Sequence, residues 1–154
     1  MAPRRLIPLT AILLGLGTLT TASLAPAPQA QAQGQNNSPN AYIDAGLAIV
    51  AAIDRYEMGA VWQSASAIMK SSVPEDRFIG NIAQKRAQLG TIRSRDWTSV
   101  MKVPIAAPEG ALPAGNYVSV RFATAGNNGK VMEEVISFRL DDDGQWRLVG
   151  YTLN

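Results

Sequence analysis

The sequence predicts an α+β domain in which three N-terminal helices pack on one face of a curved antiparallel sheet of about four strands. Two features indicate this fold. Apolar residues recur at helical spacing before Gly90, and beyond it they alternate with a period of two. The last three alternating segments are joined by short connections that contain glycine, which is typical of a meander of neighbouring strands.

The composition is that of one globular domain. The chain has 154 residues, of which 47% are apolar and 17% are charged, and it contains neither cysteine nor histidine. This length supports one hydrophobic core of ordinary size. Without thiols and imidazoles, disulfides, zinc sites of the usual kind and catalytic triads with a histidine base are excluded.

The first 32 residues have the pattern of an export signal. A short basic start precedes the apolar run Leu6 to Leu19, and Ala30-Gln31-Ala32 places small residues where signal peptidase reads them. We therefore expect cleavage between Ala32 and Gln33, and a periplasmic or secreted bacterial protein. A retained membrane anchor is the alternative, but Pro8 and a group of threonines interrupt the apolar run.

Cleavage would also change the charge of the protein. It would remove Arg4 and Arg5 and leave 12 basic and 12 acidic residues, so the mature net charge is about zero. This charge does not support nucleic-acid binding. Residues 33–40 are polar and predict a disordered linker, which places the single domain at residues 41–154.

Three helices are predicted before Gly90. The first runs from Ala41 to about Glu57 and the second from Met58 to Met69. The third begins at Ser72-Val73-Pro74-Glu75, which has the sequence of a capping box, and stops at Gly90, where glycine favours a left-handed conformation. The predicted buried residues are Tyr42, Ala45, Ile49, Ile53 and Tyr56 on the first helix, Val61, Trp62, Ala65, Ile68 and Met69 on the second, and Phe78, Ile82 and Leu89 on the third.

Four strands are predicted after Gly90, at Thr91 to Val103, Tyr117 to Thr124, Val131 to Leu140 and Gln145 to Leu153. One face of the sheet should be apolar and the other polar, because apolar and polar residues alternate in the last three strands. The polar face carries Arg121, Arg139 and Arg147. In the first strand, one face is expected to hold Trp97, Ser99, Met101 and Val103.

Each hairpin is predicted to have a three-residue loop. With Asn128-Gly129-Lys130 as the first loop, Phe122 opposes Ile136. With Asp142-Asp143-Gly144 as the second loop, Phe138 opposes Leu148 and Leu140 opposes Trp146. Gly150 then falls opposite Ile136 on the inner face.

Three helices followed by a meander that ends in Asp143-Gly144-x-Trp146-Arg147 resemble the cystatin-like, or nuclear transport factor 2-like, architecture of ketosteroid isomerase. More narrowly, the chain resembles the bacterial exported family called domain of unknown function 4019. The resemblance spans about residues 42–153 and implies a cystatin-like roll and an export route, but no reaction. Its other motifs are Trp62-Gln63-x-Ala65-Ser66, Arg86-x-x-Leu89-Gly90 and Tyr117-Val118-x-Val120-x-Phe122.

Sites for metal binding and nucleophilic catalysis have little support. The acidic run Asp141-Asp142-Asp143 offers oxygen ligands of the kind that calcium takes, but a hairpin turn explains the run more simply. A serine–lysine pair would need a motif around one of the lysines Lys70, Lys85, Lys102 or Lys130, and the sequence contains none. No metal, cofactor or catalytic residue is predicted.

The resemblance implies a cavity between helices and sheet, where the enzymes of the superfamily place an Asp, Tyr or His for proton transfer. A carboxylate buried in such a cavity would suit a general base. None of the candidates falls in a pattern that matches a catalytic residue of those enzymes. The candidate cavity residues are Tyr42, Asp54, Tyr56, Asp96, Trp97 and Tyr151.

The function expected from these observations is a non-enzymatic module that binds a small ligand or a periplasmic protein. The alternative is a lyase or isomerase of the ketosteroid-isomerase type, with a cavity carboxylate or tyrosine transferring the proton. A third hypothesis, implied by the resemblance, is a homodimer formed through the outer face of the sheet.

Overall fold

The computed structural model describes residues 38–110 and 112–154, so the expected signal peptide and most of the expected linker lie outside the described residues. Within these ranges four helices precede four strands, and the predicted α+β class is confirmed. The helices are α1 (Pro39–Asp54), α2 (Met58–Gln63), α3 (Ala67–Ser72) and α4 (Glu75–Arg86). The strands are β1 (Ile92–Ile105), β2 (Gly115–Gly126), β3 (Val131–Leu140) and β4 (Trp146–Leu153).

Helix α1 begins and ends earlier than its sequence pattern predicts. The Ser38 side chain accepts a hydrogen bond from the backbone N–H of Ala41 at 3.2 Å, so the last part of the expected linker forms the cap and first turn. Because the helix ends at Asp54, Tyr56 is exposed rather than buried. Tyr42 and Ile53 are buried as predicted, and the other buried residues of α1 are Ile43, Gly46 and Val50.

The predicted second helix is two short helices, α2 and α3. Ser66 breaks it, because its backbone N–H donates to the carbonyl of Leu148 at 2.9 Å and its hydroxyl accepts from the N–H of Ile68 at 3.4 Å. Serine often withdraws backbone groups from a helix in this way. The predicted capping box of α4 is also wrong, since the Ser72 hydroxyl donates to the carbonyl of Ile68.

The sheet is antiparallel, in the order β1-β2-β3-β4. A bulge in β1 changes its alternation: Trp97 pairs with Phe122, whereas Ser99 pairs with Arg121. One extra residue in a strand moves the side chains beyond it to the opposite face. The predicted common face is therefore wrong at Trp97, a residue that is 59% exposed.

The first hairpin turns one residue earlier than predicted. The N–H of Gly126 donates to the carbonyl of Lys130 at 2.9 Å, so the loop is centred on Asn128. Val120 therefore opposes Ile136, and Phe122 opposes Glu134. Each residue still lies on its predicted face of the sheet, because the pairing shifts by two residues, which is one full period of a strand.

The second hairpin has the predicted loop and the predicted pairs of Phe138 with Leu148 and Leu140 with Trp146. Beyond them a bulge in β4 shifts the register, so Gly150 pairs with Ser137 and not with Ile136. The prediction for Gly150 is wrong because it assumes unbroken alternation through β4, whereas one extra residue reverses the faces beyond Leu148. Its consequence is that Tyr151 takes the place opposite Ile136 on the inner face.

Candidate functional site

A cleft of about 630 Å³ opens where the end of α1, the start of α2, the end of α4 and the start of β1 meet. This volume is within the usual range for small-molecule sites. The polar part of its lining consists of Asp54, Tyr56, Arg86 and Thr91. The rest of its lining is Ile53, Met58, Ala83, Ala87, Gly90 and Ile92.

The Asp54 carboxylate at the edge of this cleft is paired with two arginines. Its Oδ2 accepts a hydrogen bond from Nη1 of Arg95 at 3.0 Å, and its Oδ1 accepts one from Nη2 of Arg95 at 3.3 Å. Nη2 of Arg86 forms an ion pair with the same Oδ1. The Asp54 side chain is 33% exposed, so this carboxylate reaches the solvent of the cleft.

Beneath these arginines lies Glu134, a residue of β3 that is fully buried. Its Oε1 accepts hydrogen bonds from the Tyr151 hydroxyl at 2.6 Å and from Nη1 of Arg86 at 3.2 Å. Its Oε2 accepts from Nε of Arg95 at 2.6 Å and from the Thr124 hydroxyl at 2.7 Å. Each carboxylate oxygen of Glu134 therefore accepts two hydrogen bonds.

The inner charge network, which we define as Asp54, Arg86, Arg95 and Glu134, contains two carboxylates and two guanidinium groups. Its formal charge is zero. An ion taken out of water is costly unless it is paired and hydrogen-bonded, and each charge here has such a partner. The cleft therefore ends on charges that are already neutralised.

Tyr151 is held neutral by this network. Burial raises the pKa of its hydroxyl above the ordinary value, and the neighbouring Glu134 carboxylate raises it further. The hydroxyl donates a hydrogen bond to Glu134 and so helps to stabilise the buried carboxylate.

A comparison with protein families identifies the family of this chain. A family model described as protein of unknown function (DUF4019) matches residues 45–151. The chain belongs to this family. A search of curated proteins and a search of solved structures find no match. The residues matched by the DUF4019 model include the whole inner charge network and Tyr151.

Sequence reasoning missed three of the four members of this DUF4019 protein's network: Arg86, Arg95 and Glu134. Glu134 had a detectable signal, because it interrupts a strand face that otherwise carries Met132, Ile136 and further apolar residues. The arginines had no such signal. They lie 48 and 39 residues from Glu134 along the chain, and only the fold brings them to it.

The structure places the predicted cavity residues in different surroundings. Asp54 lines the cleft, and Tyr151 lines a second cleft of about 360 Å³ beside α4. Tyr42 is buried in the core, with its ring centroid 5.2 Å from that of Trp146. Asp96 and Trp97 are exposed and line neither cleft.

The acidic turn of the DUF4019 chain forms an ion pair with Arg147. Nη1 and Nη2 of Arg147 donate to the two carboxylate oxygens of Asp143 at 2.8 and 2.7 Å. These bonds, with one from the backbone N–H of Gln145, lower the pKa of Asp143 to about 2. Within residues 38–110 and 112–154, no group of three Asp, Glu, His or Cys side chains is placed to hold a metal.

The other arginines of the outer face are also paired, Arg121 with Glu133 and Arg139 with Asp141, each at 3.0 Å. A row of free cations for an anionic partner is therefore absent from this face in the described part of the chain. No helix among the described residues is long and apolar enough to cross a membrane.

Proposed function

We propose that this protein binds a neutral, mainly apolar small molecule in the cleft between α1, α4 and β1. The observation that carries the proposal is the charge balance at the edge of the cleft. Asp54 and Arg86 line it, but each is already paired with the other and with a further member of the network. An ionised ligand would lose its hydration without gaining an unpaired opposite charge.

The remaining lining favours a ligand with an apolar body. Ile53, Met58 and Ile92 present aliphatic surface, and burying apolar ligand surface against them is worth about 25 cal/mol per Å². The hydroxyl of Thr91 can orient a polar group of the ligand, and a small number of such polar groups is usual in a small-molecule site.

Two fluorescent probes of similar ring size test the charge preference. N-phenyl-1-naphthylamine is neutral, whereas 1-anilinonaphthalene-8-sulfonate carries a negative charge. We expect the neutral probe to bind at least tenfold more tightly, which corresponds to about 1.4 kcal/mol. Tighter binding of the sulfonate would contradict the proposal.

A pair of variants tests the location. Ala83→Phe fills the cleft from α4 and should abolish binding of the neutral probe. Ala60→Phe makes the same change at an exposed position of α2 that lines neither cleft, and it should leave binding unchanged. Equal binding by both variants would exclude this cleft as the site.

An isomerase remains the second candidate, because a carboxylate, Asp54, does line the cleft. The geometry does not favour it, since guanidinium donors occupy both carboxylate oxygens and leave them poorly placed to accept a substrate proton. The test is the conversion of a β,γ-unsaturated ketone into its conjugated isomer, followed by absorbance. Conversion that Asp54→Asn abolishes would favour the isomerase.

We also propose that the protein is exported after cleavage between Ala32 and Gln33. The basic start, the apolar run and the small residues before the cleavage position support this proposal. The mass of the protein recovered from a periplasmic extract would test this. The order of helices and meander supports a cystatin-like roll, which an experimental structure would test.

A further inference from the structure

Tyr56 stands at the edge of the cleft in an unusual conformation. The residue lines the cleft, yet it is 85% exposed. Its φ is +62°, and it is the single residue other than glycine with positive φ in the described part of the chain. A bulky residue with a Cβ is disfavoured in this region, because the Cβ approaches the following carbonyl oxygen.

The backbone around Tyr56 explains why positive φ is required. The N–H of Tyr56 donates to the carbonyl of Ile53 at 3.0 Å, and the N–H of Glu57 donates to the carbonyl of Ala52 at 2.9 Å. These two bonds form the Schellman motif that ends α1, and Tyr56 occupies the position at which glycine is usual. A glycine would make the same turn without strain.

The fold does not account for a tyrosine at this position. Its ring is outside the core, and its hydroxyl makes no hydrogen bond within the residues that the structure describes. Strained residues of this kind cluster at ligand-binding sites, where the side chain contributes something the backbone does not require.

We propose that Tyr56 is a ligand-contacting residue that stacks on a planar, unsaturated ring of the neutral ligand. The inference rests on the proposed function of the cleft and specifies the ligand class. An exposed phenol ring at the edge of the cleft is accessible for stacking on a flat ring system, and such contacts add to the energy of area burial. A saturated ligand of the same size gains less from this ring.

The test compares stability with binding, because the two should change in opposite directions. Tyr56→Gly relieves the strained turn and should raise Tm by about 3–5 °C. The same variant should weaken binding of 2-naphthol about 2- to 10-fold, measured by titration calorimetry. Decahydro-2-naphthol, the saturated counterpart, should bind wild type and Tyr56→Gly with similar affinity. Tyr56→Phe keeps the ring and should retain both the wild-type Tm and the affinity for 2-naphthol.

The outcomes separate this inference from the proposed function. If Ala83→Phe abolishes binding of 2-naphthol but Tyr56→Gly leaves it unchanged, the cleft is the site and the role of Tyr56 is overturned. If wild type binds neither naphthol, or Ala83→Phe binds both as wild type does, the proposed function fails and the role of Tyr56 fails with it. A Tm that falls in Tyr56→Gly would overturn the assignment of strain.

Discussion

Two clusters of arginine and carboxylate side chains lie near opposite ends of strand β3, and they differ in their exposure to water. The inner charge network contains Glu134, which is fully buried, and guanidinium groups that are 15% and 11% exposed. At the other end of the strand, Arg147 and Asp143 form a bidentate pair whose side chains are 32% and 54% exposed. The chemical groups are the same in both places.

The comparison shows that exposure decides how much each partner matters. Water can replace a lost partner in the exposed pair, and such pairs contribute little to stability. At Glu134 water cannot do so, and the loss of its carboxylate leaves two buried cations to share the single counter-charge of Asp54. Four substitutions should separate the two cases.

The largest effect is expected for Glu134→Gln. It removes the central carboxylate and leaves Arg86 and Arg95 with Asp54 alone, so the free energy of unfolding should fall by about 3–5 kcal/mol. Urea denaturation measures this. The control is Glu133→Gln, the neighbouring residue, which is exposed and paired with Arg121 and should change stability by less than about 1 kcal/mol. Equal losses in the two variants would refute the distinction.

A smaller loss is expected for Thr124→Val, which keeps the shape of a buried side chain and removes one of the four donors to Glu134. A hydrogen bond to a charged group contributes about 1.5–3 kcal/mol, and the same loss should appear in urea denaturation. Thr98→Val is the matched control, because Thr98 is exposed and bonds a carbonyl oxygen at 3.3 Å. Equal losses of stability in the two variants would show that the hydrogen bond from Thr124 to Glu134 contributes no more than an exposed one.

The third effect depends on pH and concerns Tyr151. Burial raises the pKa of its hydroxyl, so above about pH 10 the unfolded chain releases this proton while the folded chain retains it. The folded state is then disfavoured as pH rises, by at most about 1.4 kcal/mol per pH unit. The Tm measured by thermal unfolding should fall more steeply from pH 8 to pH 11 for wild type than for Tyr151→Phe. Parallel curves would show that Tyr151 ionises freely in the fold.

The smallest effect is expected for Asp143→Asn in the exposed pair. The pKa of Asp143 is lowered to about 2 from an ordinary value of 3.8. Its carboxylate therefore favours the folded state above the ordinary value, and this contribution disappears as pH falls through about 2. Wild type and variant should differ slightly in Tm at pH 7 and coincide near pH 2. A larger Tm loss than in Thr124→Val would reverse the order of the two clusters.

Much of the fold followed from local patterns in the sequence. The change from helical spacing to alternation located the boundary near Gly90, which has the expected left-handed φ of +66°, although α4 itself already ends at Arg86. The second hairpin was predicted with the correct pairs because Asp142-Asp143-Gly144 sets both loop length and turn conformation. These features depend on residues that are close together in the chain.

The candidate site was largely beyond such reasoning. Asp54 and Tyr151 were among the predicted cavity residues, but their partners Arg86, Arg95 and Glu134 were not. Two register details decided the outcome: the early turn at Asn128 places Glu134 opposite Phe122, and the bulge in β4 turns Tyr151 inward. The first detail leaves the predicted faces unchanged, whereas the bulge reverses the faces of the residues beyond it, which an unbroken alternation does not predict.

The sequence by itself determined the α+β class and the alternation of apolar and polar residues along the sheet, since periodicity is a property of short segments. Only the tertiary structure decided that four charged residues from two helices and two strands meet beneath a cleft. The physical reason is that a buried charge is stable only where its partners converge on it. That convergence depends on register and helix ends, which the whole fold sets.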